Sequence, residues 1–153
     1  MTGRWIDQFL DQPGSKVFVR IDDEFIQNSF NITGLKQKLQ YFTPAYELIR
    51  RNTITTSRGE IDRATIEKES AILYGLIHAR FLLTRQGMQL MYEKYQRKEF
   101  QVCPRVYCKG TICLPYGISE ELNNYKLQMF CPCCRDIYRV TESKYQNVDG
   151  AFF

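Results

Sequence analysis

The chain is poor in the residues and motifs on which most catalysis depends. It holds one histidine, His78, among 153 residues. No G-x-x-x-x-G-K-[ST] or G-x-G-x-x-G loop is present to cradle phosphates, and no G-x-S-x-G nucleophile turn or Asp-Phe-Gly triplet occurs. Nucleotide chemistry by this chain alone is therefore not expected. A lone histidine inside an apolar helical stretch reads as a packed, hydrogen-bonded group rather than an acid–base catalyst. Long apolar runs are missing as well: none reaches the roughly 18 residues that a membrane helix needs. Met1-Thr2-Gly3-Arg4-Trp5 lacks the apolar core of a secretory leader. The expectation is a chain with no transmembrane segment in a reducing compartment, the cytoplasm and nucleus. There is no block of about five like charges, no internal repeat and no low-complexity tract. A net charge of +4 and a pI near 8.7 do not by themselves argue for nucleic acid as a partner.

Cysteine is what the chain does have. Cys103 and Cys108 are separated by four residues, Cys131 and Cys134 by two, and 22 residues lie between the pairs. C-x4-C followed by C-x2-C is the spacing of a four-cysteine zinc site, each pair turning two sulfurs toward one point. Four protein ligands leave no position for water or substrate, so the site reads as structural. The competing reading is a disulfide framework, since six cysteines are an even count; the reducing compartment argues against it. Cys133 could in principle replace Cys134, but C-x2-C spacing favours Cys131 with Cys134. Cys113 and Cys133 then read as ordinary small side chains. Arg105, Lys109 and Arg135 flank the candidate ligands and can offset the charge of four thiolates on one dication. Metal affinity should fall with pH, because the ligands must be deprotonated.

Periodicity divides the chain near residue 100. A mainly helical domain over 1–100 is expected, followed by a small three-stranded zinc-ribbon-like sheet over 101–153; the fold class is α+β. Trp5-Ile6 with Phe9-Leu10 makes an apolar helical stripe. Asp22 and Asp23 suit the start of a helix before Phe25-Ile26. Thr43-Pro44 suits an N-cap and first helical position. Arg50 to Arg63 reads as an exposed loop. From Ile61 to Thr84 the pattern is strongly helical, with Ile72, Leu76, Ala79 and Leu83 on one face and Leu73, Ile77 and Phe81 widening it. Gly87 marks a break before an amphipathic helix over 88–96. Lys126 to Phe130 and Asp136 to Val140 alternate as strands around the second cysteine pair, while Leu114 to Gly117 reads as a turn. Such a sheet is too small to cover Val106, Ile137 and Tyr138 internally, which leaves apolar surface for an interaction. Asn31-Ile32-Thr33 matches a glycosylation sequon, but local turn hydrogen bonding is the better reading. Residues 80–110 carry seven bases against two acids, an excess that reads first as a solvated face.

Together these residues resemble the regulatory beta subunit of casein kinase II. Trp5-Ile6 and the segment Asp22 to Leu35 are similar to that family's opening. Leu73-Tyr74-Gly75-Leu76-Ile77-His78-Ala79-Arg80-Phe81 resembles its central helix. Glu93-Lys94-Tyr95-Gln96, Cys103 to Cys108 and Asp149-Gly150-Ala151-Phe152-Phe153 follow in order. The resemblance implies a non-catalytic scaffold: a zinc-dependent homodimer that binds catalytic subunits of casein kinase II. It implies zinc on Cys103, Cys108, Cys131 and Cys134, with Pro104, Val106 and Ile137 packing across the dimer contact. Three departures stand out. The family's serine-rich acidic extension before Trp5 is missing. The family's acidic loop is matched by Arg50 to Arg63, which carries four arginines against Glu60 and Asp62. The chain stops at Phe153, short of the family's kinase-contacting tail, so weak binding of catalytic subunits is expected. The alternative from another class is a zinc-ribbon nucleic-acid-binding or transcription-associated protein.

Overall fold

The structure is a computed structural model that describes residues 3–54 and 61–153. Its helices are α1 (Trp5–Asp11), α2 (Asp23–Gln27), α3 (Phe42–Arg51), α4 (Arg63–Phe81) and α5 (Arg85–Gln96). Strands β1 (Leu114–Tyr116), β2 (Gln128–Phe130) and β3 (Ile137–Arg139) form an antiparallel sheet in the order β1-β2-β3. The expected α+β architecture is therefore present, with helices first and the small sheet after them. No helix among the described residues is long and apolar enough to cross a membrane.

α4 is the spine. Asp62 caps it by accepting from the Thr65 N–H at 2.6 Å. The deeply buried seam is Ile66, Leu73, Tyr74, Ile77 and Phe81. This corrects the expected face: Ile72 and Ala79 are only partly covered, and Leu83 is 80% exposed beyond the helix end. Leu76 of the expected face is buried, and the rest of the core-facing side is the stripe that widens the pattern in sequence. α1 buries Trp5, Ile6 and Phe9 as its period requires.

Other boundaries also differ from expectation. α3 begins at Phe42 with Tyr41 as its N-cap, so Thr43 and Pro44 lie inside its first turn. Proline is tolerated there because the first-turn N–H groups have no helical partner. Arg50 and Arg51 belong to α3, whose left-handed Asn52 (φ 57°) stops the helix and accepts the Trp5 N–H at 2.7 Å. The expected loop is thus shorter at both ends, and its residues 55–60 lie outside the described residues. Gly87 is not a break. It sits in the first turn of α5, where its N–H donates to the Thr84 hydroxyl at 3.0 Å. Leu114 to Tyr116 is a strand rather than a turn; Pro115 fits because β1 is at the sheet edge. At the sequon, Thr33 Oγ1 donates to the Phe30 carbonyl and Asn31 Nδ2 to the Phe25 carbonyl, both at 2.9 Å.

The segment over 17–21, a turn that leads into irregular chain, runs through the core without pairing in any sheet among the described residues. Val17, Val19 and Ile21 are almost fully buried. Buried backbone polar groups need partners, and two side chains one turn apart on α4 supply them. The Tyr74 hydroxyl accepts the Ile21 N–H at 2.9 Å and donates to the Val19 carbonyl at 3.1 Å. His78 Nε2 accepts the Val19 N–H at 3.1 Å. Its Nδ1 lies 2.8 Å from the Phe152 carbonyl, which fixes the neutral tautomer with the proton on Nδ1. The last residues are thereby tied to the spine. A Cβ on Gly75 would stand 2.4 Å from the Phe152 ring, and one on Gly117 would stand 1.8 Å from the Gly150 carbonyl oxygen. Only glycine lets the terminal segment lie this close to α4 on one side and to the sheet on the other.

Burial pushes the His78 pKa down to about 4, partly countered by the hydrogen bond to Phe152. In the unfolded chain the value is about 6.5. Between these values the unfolded state binds the extra proton. Stability is therefore full above pH about 6.5 and declines as pH falls toward about 4. The loss amounts to about 3 kcal/mol. Urea midpoints measured across that window should show the slope in the native chain and a flatter one in His78→Gln, which cannot titrate. Equal slopes would assign the acid sensitivity elsewhere.

Candidate metal centre

Two loops build the cysteine cluster. In the first, the Cys103 N–H donates to the Thr111 carbonyl at 2.8 Å, and the Cys113 N–H to the Gln101 carbonyl at 2.8 Å. These bonds clamp the ends of the loop, and Val106–Cys108 forms a 3-10 turn at its tip. In the second, the Arg135 N–H donates to the Cys131 carbonyl at 2.7 Å and the Cys131 N–H to the Asp136 carbonyl at 3.0 Å. The residue after the second cysteine of each pair is left-handed: Lys109 at φ 51° and Arg135 at φ 61°. That conformation reverses the chain directly behind the sulfur. Arg105 reaches Asp136 at 3.2 Å and joins one loop to the other across an exposed face.

The loops bring Cys103, Cys108, Cys131 and Cys134 together, with all four sulfurs within 4.8 Å of one another. Cys103 and Cys134 are 3.9 Å apart, and Cys108 and Cys131 3.8 Å. A disulfide would need about 2.05 Å, and all six cysteines are free. A tetrahedral ion with metal–sulfur bonds of about 2.3 Å sets its sulfurs about 3.8 Å apart. The donor set and its spacing thus fit a metal held by four thiolates, with no position left for a substrate. Cys103, Cys108 and Cys131 are buried, and Cys134 is half-exposed.

The surroundings treat the thiols unequally. The Tyr138 hydroxyl lies 3.1 Å from Cys134 Sγ. That hydrogen bond is the main cause holding the Cys134 pKa down, at about 6. Cys108 is pushed well above the usual thiol range by desolvation and by its sulfur neighbours. Cys113 lies outside the cluster and is fully buried, and burial raises its thiol to about 12, as suits a small packed side chain. Cys133 is exposed and is not one of the four clustered sulfurs.

Pro104, Val106 and Ile137 lie on the outside of this centre. Pro104 is exposed, Val106 is 86% exposed, and Ile137 is 39% exposed. Val106 follows Arg105 and Ile137 follows Asp136, so both flank the ion pair that links the loops. Tyr107, not singled out from sequence, is 92% exposed at the same tip. Tyr138 was expected to add to this uncovered surface; it is half-buried instead and turns its hydroxyl inward to Cys134. A second apolar surface is a groove of about 500 Å³ between α5 and the sheet, lined by Met88, Met91, Tyr92, Leu114 and Pro132 among others.

Helices followed by paired cysteine loops on a small sheet define a class of α+β protein with a four-cysteine site that could hold a metal. Comparison with known proteins places the chain within that class. A model of the casein kinase II regulatory subunit matches residues 4–153, and the chain belongs to that family. It is 40% identical over 149 residues to casein kinase II subunit beta-2 of Schizosaccharomyces pombe, covering 97% of this chain and 59% of that protein. It is 40% identical over 154 residues to putative casein kinase II subunit beta-4 of Arabidopsis thaliana, covering 97% and 53%. Against casein kinase II subunit beta' of Drosophila melanogaster the identity is 37%, covering 97% and 68%. The chain spans about 59% of the length of the Schizosaccharomyces pombe relative and a comparable share of the others. The family is one of regulatory, non-catalytic subunits, in agreement with the missing nucleotide motifs.

The left-handed residues give a test of the loop geometry. Arg135→Val forces a β-branched side chain to positive φ and should lower stability by about 1–2 kcal/mol. Arg135→Gly, which meets no such restriction, should not. Denaturant melts of the two variants beside the native chain check this; equal effects would mean that the second loop does not turn as described.

Proposed function

We propose that this chain is a regulatory and scaffolding subunit of a Ser/Thr protein kinase assembly. In this reading it binds one structural Zn2+, pairs with a second copy through its metal-binding loops, and carries catalytic subunits of casein kinase II. Family membership supports the kinase assignment. The observation that carries the assembly reading is Val106 and Tyr107, left 86% and 92% exposed on a loop whose neighbours Cys103 and Cys108 are buried. Apolar side chains at the tip of so constrained a loop mark a contact surface. A two-fold interface uses one patch twice, so Pro104, Val106 and Ile137 of each copy suffice to build it.

Zinc is the metal best matched to four thiolates, and a structural site of this kind contributes about 10–16 kcal/mol of apparent binding free energy at neutral pH. A three-stranded sheet of three-residue strands has little else to hold it. Elemental analysis should give one zinc per chain. Cys131→Ser should abolish binding and unfold the sheet region while most of the helical circular dichroism remains. A metal-free native protein would refute this part of the reading.

Val106→Asp should convert the dimer to a monomer with little loss of helix, because it would bury an unpaired charge at the contact. Light scattering across a concentration series decides it. A native chain that stays monomeric at high concentration rules out the dimer. Titration with a purified casein kinase II catalytic subunit tests the partner, and the isolated chain should transfer no phosphate.

A further inference from the structure

We propose that Tyr138 is a positioning residue of the metal centre: its hydroxyl donates a hydrogen bond to the Cys134 sulfur and secures the most solvent-accessible ligand on the metal. The inference rests on the zinc reading above. Cys134 is the one member of the cluster that is not buried. Tyr138 lies four residues later, in the middle of β3 opposite Met129, which is only 1% exposed. The strand register therefore fixes the backbone of Tyr138, and the phenol reaches back over the second loop to 3.1 Å from Cys134 Sγ. Among the described residues no other side-chain oxygen or nitrogen makes a hydrogen bond to any of the four sulfurs.

A donor aimed at a thiolate stabilises its charge and fixes its direction. Partners of this kind orient metal ligands, and losing one typically lowers metal affinity by about 10–100-fold. The same geometry supplies a spectroscopic consequence. A hydrogen bond lowers the energy of the sulfur lone pair, so removing it shifts sulfur-to-metal charge transfer to longer wavelength.

The test compares the native chain with Tyr138→Phe, which keeps the ring and deletes only the hydroxyl. Zinc affinity is read by competition with a chromophoric chelator, release by stopped flow, and ligand field by cobalt substitution. Tyr138→Phe should bind zinc at least about 10-fold more weakly, release it faster, and show a red-shifted cobalt charge-transfer band. Unchanged affinity and an unchanged band overturn the proposal. The pair Cys134→His and Cys134→His/Tyr138→Phe separates the hydrogen bond from packing. Deleting the hydroxyl should have little effect where no sulfur receives it, and an equal loss in that background overturns the proposal. A native chain that takes up neither zinc nor cobalt defeats the zinc reading itself and this inference with it; normal uptake by the native chain with an unaffected Tyr138→Phe defeats the inference alone.

Discussion

Most of this structure depends on how the buried segment around Val19 satisfies its backbone. Irregular chain in a core needs partners for its N–H and C=O groups, and no neighbouring strand among the described residues offers them. Tyr74 and His78 stand in for that strand from one face of α4, one turn apart. An unpaired buried donor or acceptor costs about 1–3 kcal/mol, so these side chains have little freedom to vary. Phe18 belongs to the same segment and packs edge-on to His78 at 4.9 Å. It also stacks on Phe153 at 5.4 Å. The second nitrogen of His78 then reaches the Phe152 carbonyl. One imidazole thus links the start of the chain, its central helix and its end.

That link also positions the four-cysteine cluster. Residues 148–150 pair with the stretch leading into β2: the Leu127 N–H donates to the Val148 carbonyl and the Gly150 N–H to the Tyr125 carbonyl, both at 2.8 Å. The terminal segment is therefore held by the sheet on one side and by α4 on the other. β2 in turn runs directly into Cys131, so the second cysteine loop inherits its place from contacts that begin at His78. Helical packing and metal loops are mechanically connected through few residues, and the glycines at 75 and 117 mark where those surfaces come closest.

Much of this was legible in sequence, for reasons that differ by element. The four cysteines were readable because metal spacing is local: each pair needs only a tight turn, and the turn bonds at Cys103 and Cys131 supply it. The sheet was readable around the second pair, where alternation is clear. β1 was not, because Leu114-Pro115-Tyr116-Gly117 carries turn residues, and only its place at the sheet edge makes Pro115 compatible with a strand. On α4 the helix was evident but its buried face was misjudged. Apolar residues surround the helix, so periodicity alone does not choose between Ile72 with Leu83 and Leu73 with Phe81. Packing of α3 and of the segment around Val19 makes that choice. The bonds from Tyr74 and His78 span more than 50 residues, and no local pattern announces them.

The same contrast explains why the two most exposed large apolar side chains among the described residues, Val106 and Tyr107, sit on a cysteine loop. A protein of this size can cover large side chains where helices pack, and α4 shows it doing so. A loop held by two sulfurs and two backbone bonds has no such cover: its inner face is committed to the ligands, and whatever follows must point away. Val106 and Tyr107 fall in that position between buried Cys103 and Cys108. Arg105 and Asp136, 3.2 Å apart, link the two loops beside these side chains, and the paired backbone bonds of each loop hold their support. Rigid presentation lowers the entropy lost when such a surface is covered. Four cysteines gathered with no position left for a substrate still have a reason to be here, since the loops that carry them fix the geometry of a surface that the sheet alone could not hold.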